Sequence, residues 1–215
     1  MQEIEAGYLR QFANYILHLS GTNYTEDNWL GLKVVIKERM FETKINFLQA
    51  YYDYLSGSSS GREERISFLS VPGTYFFRDK RQFEVLRDHL LPEMISVKKK
   101  ILHLRPHIKI VSCGCSTGQE PYSIAIEQSG LRDQADFNII ALDINKKSIH
   151  RAQDAEYTAN SFREPNTLPE IMHYFISKDK KFILRDEIRK QVRFHSANLF
   201  NTEETVDILN GSERS

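Results

Sequence analysis

Only two of the 215 residues are cysteine and only one is tryptophan. Cys113 and Cys115 stand one residue apart. A disulfide between them would be strained, and no third cysteine is present to build a zinc site. Both read as reduced small residues beside backbone, which excludes a disulfide-stapled secreted fold. The seven histidines show no metal spacing and no Ser-His-Asp arrangement stands out, so no metal is expected. Neither sign of charge is in excess, with 29 basic and 29 acidic residues, and such a balance offers no general attraction to nucleic acid or to a membrane surface. No apolar run is long enough to span a bilayer. The acidic start, Met1 to Glu5, lacks the pattern of a signal peptide. One large or two small domains in the cytoplasm are expected.

What is present changes character along the chain. Ile4, Tyr8, Phe12, Tyr15, Ile16 and Leu19 recur at helical spacing. Leu32, Val35, Ile36 and Met40 form a second stripe, and Phe47, Leu48, Tyr51, Tyr52 and Leu55 a third. Residues 1–70 therefore read as an all-helical N-terminal domain, with a flexible turn at Gly57–Gly61 and a short helix over 63–69 stopped at Val71-Pro-Gly73. Residues 71–106 read as a linker segment that holds Thr74-Tyr-Phe-Phe-Arg-Asp79 and a helix through Phe83, Leu86 and Leu90. Pro92 and the solvated run Lys98–Lys100 mark its linker part.

From residue 107 the period changes. Strand 108–112, helix 121–129, strand 137–142 and helix 146–153 predict a β-α-β-α unit, hence a parallel sheet with right-handed crossovers. A short helix is expected between Pro165 and Phe175. Strands are expected at 181–184 and 191–195, with one more beginning at Val206–Leu209.

The apolar run Ile108–Val111 feeds a loop containing Gly114 and Gly118. A strand, a Gly turn and a helix start form a nucleotide-type pocket in α/β proteins, although the spacing is not G-x-G-x-x-G. Asp143 ends the next strand, where an acid accepts hydrogen bonds from a ribose diol or else caps the following helix. Glu120 fits a capping box with Thr117. Alternatively, with Pro121 at the first helical position, its carboxylate is free at the loop mouth. A free carboxylate there repels the pyrophosphate of NAD and suits the ammonium of S-adenosylmethionine. Arg78, behind two core phenylalanines, is a carboxylate clamp or a surface arginine. Thr74 is a helix cap or a ligand contact. Asn198 forms a turn or reads an adenine edge.

Taken together these segments resemble the chemotaxis receptor methyltransferase family, the CheR type. Thr74–Asp79 resembles its T-x-F-F-R-[DE], and Cys115–Ser123 its C/A-S-T-G-E-E-P-Y-S. Ala141-Leu-Asp-Ile144 resembles its A-x/T-D-I, and Ala197-Asn-Leu199 its x-N-L. Order and spacing agree from about residue 68 to 200.

The resemblance implies a helical N-terminal domain, a linker, and a Rossmann-like methyltransferase domain over 107–215 with a small antiparallel β-subdomain at about 176–197. It implies S-adenosylmethionine, or its product S-adenosylhomocysteine, at Thr74, Arg78, Glu120, Asp143, Asn198 and Leu199, with Gly114 in the loop. The acceptor it implies is a glutamate of a chemotaxis receptor's cytoplasmic domain. Four departures stand out. Gln119 replaces the first of two glutamates, and Pro72 stands where some members carry Asn. The turn Ser177–Lys181 is short and lacks the glycine of members that grip a receptor's C-terminal pentapeptide, so no such tether is expected. After Leu209 the family's R-N-V-x-I-Y-F is not found, so a C-terminally truncated enzyme with an incomplete sheet and impaired activity is expected. The alternative is a non-catalytic module that binds a receptor or regulator through Lys33, Lys37, Arg39 and Lys44.

Overall fold

The computed structural model describes residues 6–57 and 74–211. The short helix expected at 63–69, the stop at 71–73 with Pro72, and most of the Gly57–Gly61 turn lie outside the described residues. The chain divides into two compact units. One holds 1–72 with 198–202, and the other 73–197 with 203–215.

The first unit is helical. α1 (Ala6–Ser20) buries Leu9, Phe12, Ala13 and Ile16. A 3-10 turn, Glu26–Asn28, leads into α2 (Trp29–Thr43), which buries Leu32, Val35, Ile36 and Met40. α3 (Leu48–Ser56) adds Leu48, Tyr51 and Leu55. These side chains form one core at the spacing read from the sequence. The Tyr15 hydroxyl donates to the Leu55 carbonyl at 2.6 Å, tying α1 to α3.

In the second unit, α4 (Lys80–Val85) runs through a π-helical turn, Leu86–Leu90, into α5 (Leu91–Leu102). The stretch expected as linker is thus helical. Pro92, which has no N–H to donate, stands at the start of α5 just after the π-helical turn, in which the Leu91 N–H donates to the Leu86 carbonyl. Leu91 and Ile95 are buried with Ile108 and Ala135, which fixes α5 against the sheet.

β1 (His107–Cys113) and β2 (Asp136–Asp143) pair in parallel, Ile110 opposite Ile139 and Cys113 opposite Leu142. α6 (Gln119–Glu127) connects them, and α7 (Lys146–Asp154) follows β2. A second sheet is antiparallel, in the order β3 (Glu156–Tyr157), β5 (Lys181–Leu184), β4 (Phe175–Lys178), with α8 (Thr167–Ile171) between β3 and β4. This is the Rossmann-like domain with its small antiparallel insertion.

Two expectations need correction. The β-subdomain expected at about 176–197 stops short of that bound, because β6 (Val192–Ser196) is the third strand of the parallel sheet, beside β2. The short helix α9 (Asp186–Arg189) turns the chain out of the hairpin. Phe194 then packs on Tyr122 of α6, with ring centroids 5.3 Å apart. Residues 206–209 are not a strand but part of α10 (Thr202–Asn210). A four-residue apolar run does not distinguish strand from helix. Glu203 and Glu204 in the first turn favour the helix dipole, and Ile208 and Leu209 cover Ile140, Leu142 and Ala197 on one face of the sheet.

The opposite face is aromatic. Phe76 is fully buried, stacked on Phe162 at 5.0 Å and edge-on to Tyr157 and Phe175 at 4.8 and 5.3 Å. Phe77 packs against Phe83. The two phenylalanines of the Thr74–Asp79 segment therefore anchor it in the sheet domain's core.

Candidate ligand site at the carboxyl ends of β1 and β2

Parallel pairing in register brings the ends of β1 and β2 side by side, and the loop after β1 folds over the end of β2. The Gly114 and Cys115 N–H groups both donate to the Leu142 carbonyl, at 2.8 and 3.0 Å. The Ser116 N–H donates to Asp143 Oδ2 at 2.7 Å. Three successive loop donors are thus committed to β2. A pyrophosphate-binding loop needs such donors aimed at the ligand, so this loop is not an anion cradle.

The backbone alternates to achieve this, with positive φ at Gly114 (72°), Ser116 (50°) and Gly118 (91°). The two glycines serve different ends. A Cβ on Gly118 would lie 2.9 Å from Cβ of Ala152, so Gly118 permits α6 to approach α7. A Cβ on Gly114 would meet nothing within 4 Å, so that residue borders open space. Tyr157 closes the loop from below. Its hydroxyl donates to the Thr117 carbonyl at 2.9 Å, and burial pushes its pKa well up, so it stays a neutral donor.

Glu120 is exposed, and its Oε1 accepts the hydroxyl of buried Ser112 at 2.7 Å. The capping-box reading does not hold. Gly118 is the N-cap and has no side chain to cap with, while Thr117 donates its hydroxyl to the Gln119 side chain at 2.8 Å. The helix also starts earlier than the sequence suggests. Gln119 is its first residue and Pro121 its third, a position still within the turn whose N–H groups lack helical acceptors.

Asp143 is not a helix cap either. Asn145 takes that role, its side chain accepting from the N–H groups of Lys147 and Ser148. Asp143 Oδ1 accepts from the Asn145 N–H at 2.8 Å and Oδ2 from Ser116. Each oxygen keeps a lone pair, and the carboxylate is half-buried with its orientation fixed from two sides.

Glu120 and Asp143 both bear on Cys115. Burial raises that thiol's pKa, and the two carboxylates raise it further, Asp143 the more. The ends of β1 and β2 therefore form a negative site with its backbone donors turned away. That chemistry favours a cationic ligand over a dinucleotide.

The remaining predicted residues are placed as follows. Thr74 is half-buried and Arg78 exposed. Arg78 is flanked by two non-glycine residues in the left-handed region, Phe77 at φ 56° and Asp79 at φ 62°. Backbone strain of this kind collects at functional turns. Asn198 and Leu199 belong to the first unit. There Asn198 Nδ2 donates to the Leu19 carbonyl and Oδ1 accepts from the Phe200 N–H, both at 3.0 Å. Sequence reasoning missed Ser112 and Ser123. Their signal was a small polar residue at a buried position, visible only once the facing strand and helix were paired.

A parallel sheet with one acid at the carboxyl end of β2 and another at the start of the helix that follows β1 defines a Rossmann-like nucleoside-binding domain. Residues 73–210 match the family described as "CheR methyltransferase, SAM binding domain". The chain is 31% identical over 201 residues to "Chemotaxis protein methyltransferase 2" of Vibrio cholerae, covering 90% of this chain and 67% of that protein. It is 30% identical over 149 residues to a "Probable chemotaxis protein methyltransferase" of Rhizobium etli, covering 66% and 53%. It is 31% identical over 168 residues to "Probable biofilm formation methyltransferase WspC" of Pseudomonas aeruginosa, covering 77% and 38%. The chain thus belongs to the CheR methyltransferase family, and its ligand is S-adenosylmethionine. It spans between about two thirds and two fifths of the length of these relatives.

Proposed function

We propose that this protein takes part in methylating glutamate side chains on the cytoplasmic domain of a chemotaxis receptor. The observation that carries the reading is the pair of acids, Glu120 at the start of α6 and Asp143 at the end of β2, flanking a loop whose N–H groups are committed to β2. Bound S-adenosylmethionine supplies a methyl group on a positively charged sulfur. Asp143 holds the ribose diol, Glu120 the ammonium, and Arg78 the carboxylate of the amino-acid end, with Thr74 and Gly114 at the rim. Asn198 and Leu199, which belong to the first unit, are given no role in this set.

An acceptor glutamate is ionised at neutral pH. No proton has to be removed from it, and the protein's task is positioning at about 3–3.5 Å and exclusion of water. The hairpin β4–β5 turns through Asp179 and Lys180 alone, at φ 49° and 62°. So tight a turn supports the reading that no receptor pentapeptide is gripped there. No helix among the described residues is long and apolar enough to cross a membrane.

The test is transfer of labelled methyl from S-adenosylmethionine to a receptor cytoplasmic fragment, read as base-labile methanol release. Label on glutamate supports the reading. Absence of label from a protein that binds S-adenosylhomocysteine would favour a second reading, a non-catalytic binding module. That alternative has its own observation. Leu30 and Phe41 on α2 are 76% and 77% exposed, with Lys33, Lys37 and Lys44 on the same helix or at its end.

A further inference from the structure

We infer that Ser123 is a positioning residue that holds Arg78 in register with Glu120. The inference rests on the reading of Arg78 as the carboxylate grip. Ser123 lies on α6, three residues after Glu120, and is fully buried. Its hydroxyl donates to the Gln119 carbonyl at 2.7 Å, one turn back on the same helix. That bond fixes the hydroxyl proton and turns a lone pair outward. The lone pair accepts the N–H of Phe77, 46 residues earlier in the chain, at 3.0 Å.

Phe77 is the residue before Arg78 and the first of the two left-handed residues around it. A phenylalanine rarely adopts that conformation unaided, so the turn depends on what pins it. The Phe76 N–H is held by the Ser161 carbonyl at 2.8 Å, and the Phe76 ring by the aromatic core. The bond to Ser123 ties the turn to the helix that carries Glu120.

This link matters because of the ligand's chemistry. The ammonium and carboxylate of an amino-acid end share one carbon, so the groups that grip them must keep a fixed separation. A hydroxyl bonded to Gln119 on one side and to Phe77 on the other sets that separation through two short backbone paths. Glu120 is next to Gln119 and Arg78 is next to Phe77.

The experiment is calorimetry with two ligands on the wild-type chain, Ser123→Ala, Arg78→Ala and the double variant. S-adenosylhomocysteine carries the amino-acid end, and 5′-methylthioadenosine lacks it. Ser123→Ala and Arg78→Ala should each weaken S-adenosylhomocysteine about tenfold, the scale of one well-aligned hydrogen bond. They should leave 5′-methylthioadenosine unchanged, and the double variant should bind no worse than Arg78→Ala. Ser123→Cys keeps the packed volume should the alanine variant fold poorly, and Ser123→Thr, which keeps the hydroxyl, should restore the preference. Equal weakening of both ligands by Ser123→Ala, or additive losses in the double variant, would overturn the inference. An Arg78→Ala variant that keeps the wild-type ratio between the ligands would instead overturn the role of Arg78 itself.

Discussion

The loop between β1 and α6 and the outer side of α2 both present side chains suited to binding, and they are built in opposite ways. In the loop, Gly114, Cys115 and Ser116 donate back to β2, Tyr157 holds Thr117, and Ser112 holds Glu120. The only latitude the backbone shows is the open space beside Gly114. On α2, Leu30, Val34 and Phe41 stand largely in water, on the side away from buried Leu32, Val35, Ile36 and Met40. A small ligand with fixed charges is selected by a site whose own geometry is over-determined. A macromolecular partner can be met by apolar side chains that keep their rotamer freedom among lysines. The contrast sorts the two surfaces by the kind of molecule each suits.

If the loop is over-determined, the largest effect should come from Gly118→Ala. A Cβ there meets Ala152 at 2.9 Å, and φ is 91°. The left-handed strain and the overpacking together should cost about 2–5 kcal/mol. Gly114→Ala shares the positive φ without the clash, and should cost about 1–2 kcal/mol. Urea denaturation of the two variants measures the difference. Equal costs would mean that the approach of α6 to α7 does not set the loop.

Charge comes next. Glu120→Gln keeps the shape and the Ser112 contact while removing the charge. A charge-assisted hydrogen bond is worth about 1.5–3 kcal/mol, so S-adenosylhomocysteine should bind roughly ten- to a hundredfold more weakly. A ligand without the ammonium should be unaffected. Calorimetry with both ligands checks this, and an equal loss for both would assign Glu120 to the loop's structure.

How much of this was legible beforehand differs between the two surfaces. The helical stripes, both long parallel strands and the acids Glu120 and Asp143 could be read from period, glycine placement and order along the chain. Three things could not. Val192–Ser196 was read into the antiparallel insertion because nothing local in a five-residue strand says which sheet it joins; its partner β2 lies about 50 residues earlier in sequence. Val206–Leu209 matched strand and helix alike. Ser112 and Ser123 act only through residues that the fold brings to them, and no local pattern marks a serine as a link. On α2 the difficulty was the reverse. The buried stripe is legible from its spacing, but Leu30, Val34 and Phe41 on the other side form no pattern that marks them as exposed rather than core.

The far end of α6 offers a control away from the loop. Burial pushes the Glu127 carboxyl above the usual glutamate range, and Arg87, 3.3 Å away, pulls it part of the way back. The folded state therefore binds this proton more tightly than the unfolded one. Its contribution to stability is largest in acid and is lost as pH rises from the ordinary glutamate range through the raised value. Glu127→Gln should stabilise the protein slightly at pH 7, and the gain should vanish toward pH 4. Melting temperatures across that range check the sign. A loss at pH 7 would show that the ion pair with Arg87 outweighs burial.

The smallest effect on stability should come from α2. Replacing Leu30 and Phe41 together with serine removes two large side chains that are 76% and 77% exposed. Exposed substitutions away from caps and cores usually change stability by less than about 0.5 kcal/mol each. Leu32→Ala, on the buried side of the same helix, should cost about 2–5 kcal/mol. If the outer side serves a partner, the double serine variant should keep its melting temperature and its affinity for S-adenosylhomocysteine while losing affinity for a receptor cytoplasmic fragment. A variant that melts early would show these side chains belong to the helical core. One that keeps full affinity for the fragment would remove α2 from the binding surface and leave the loop as the part of the molecule built to bind.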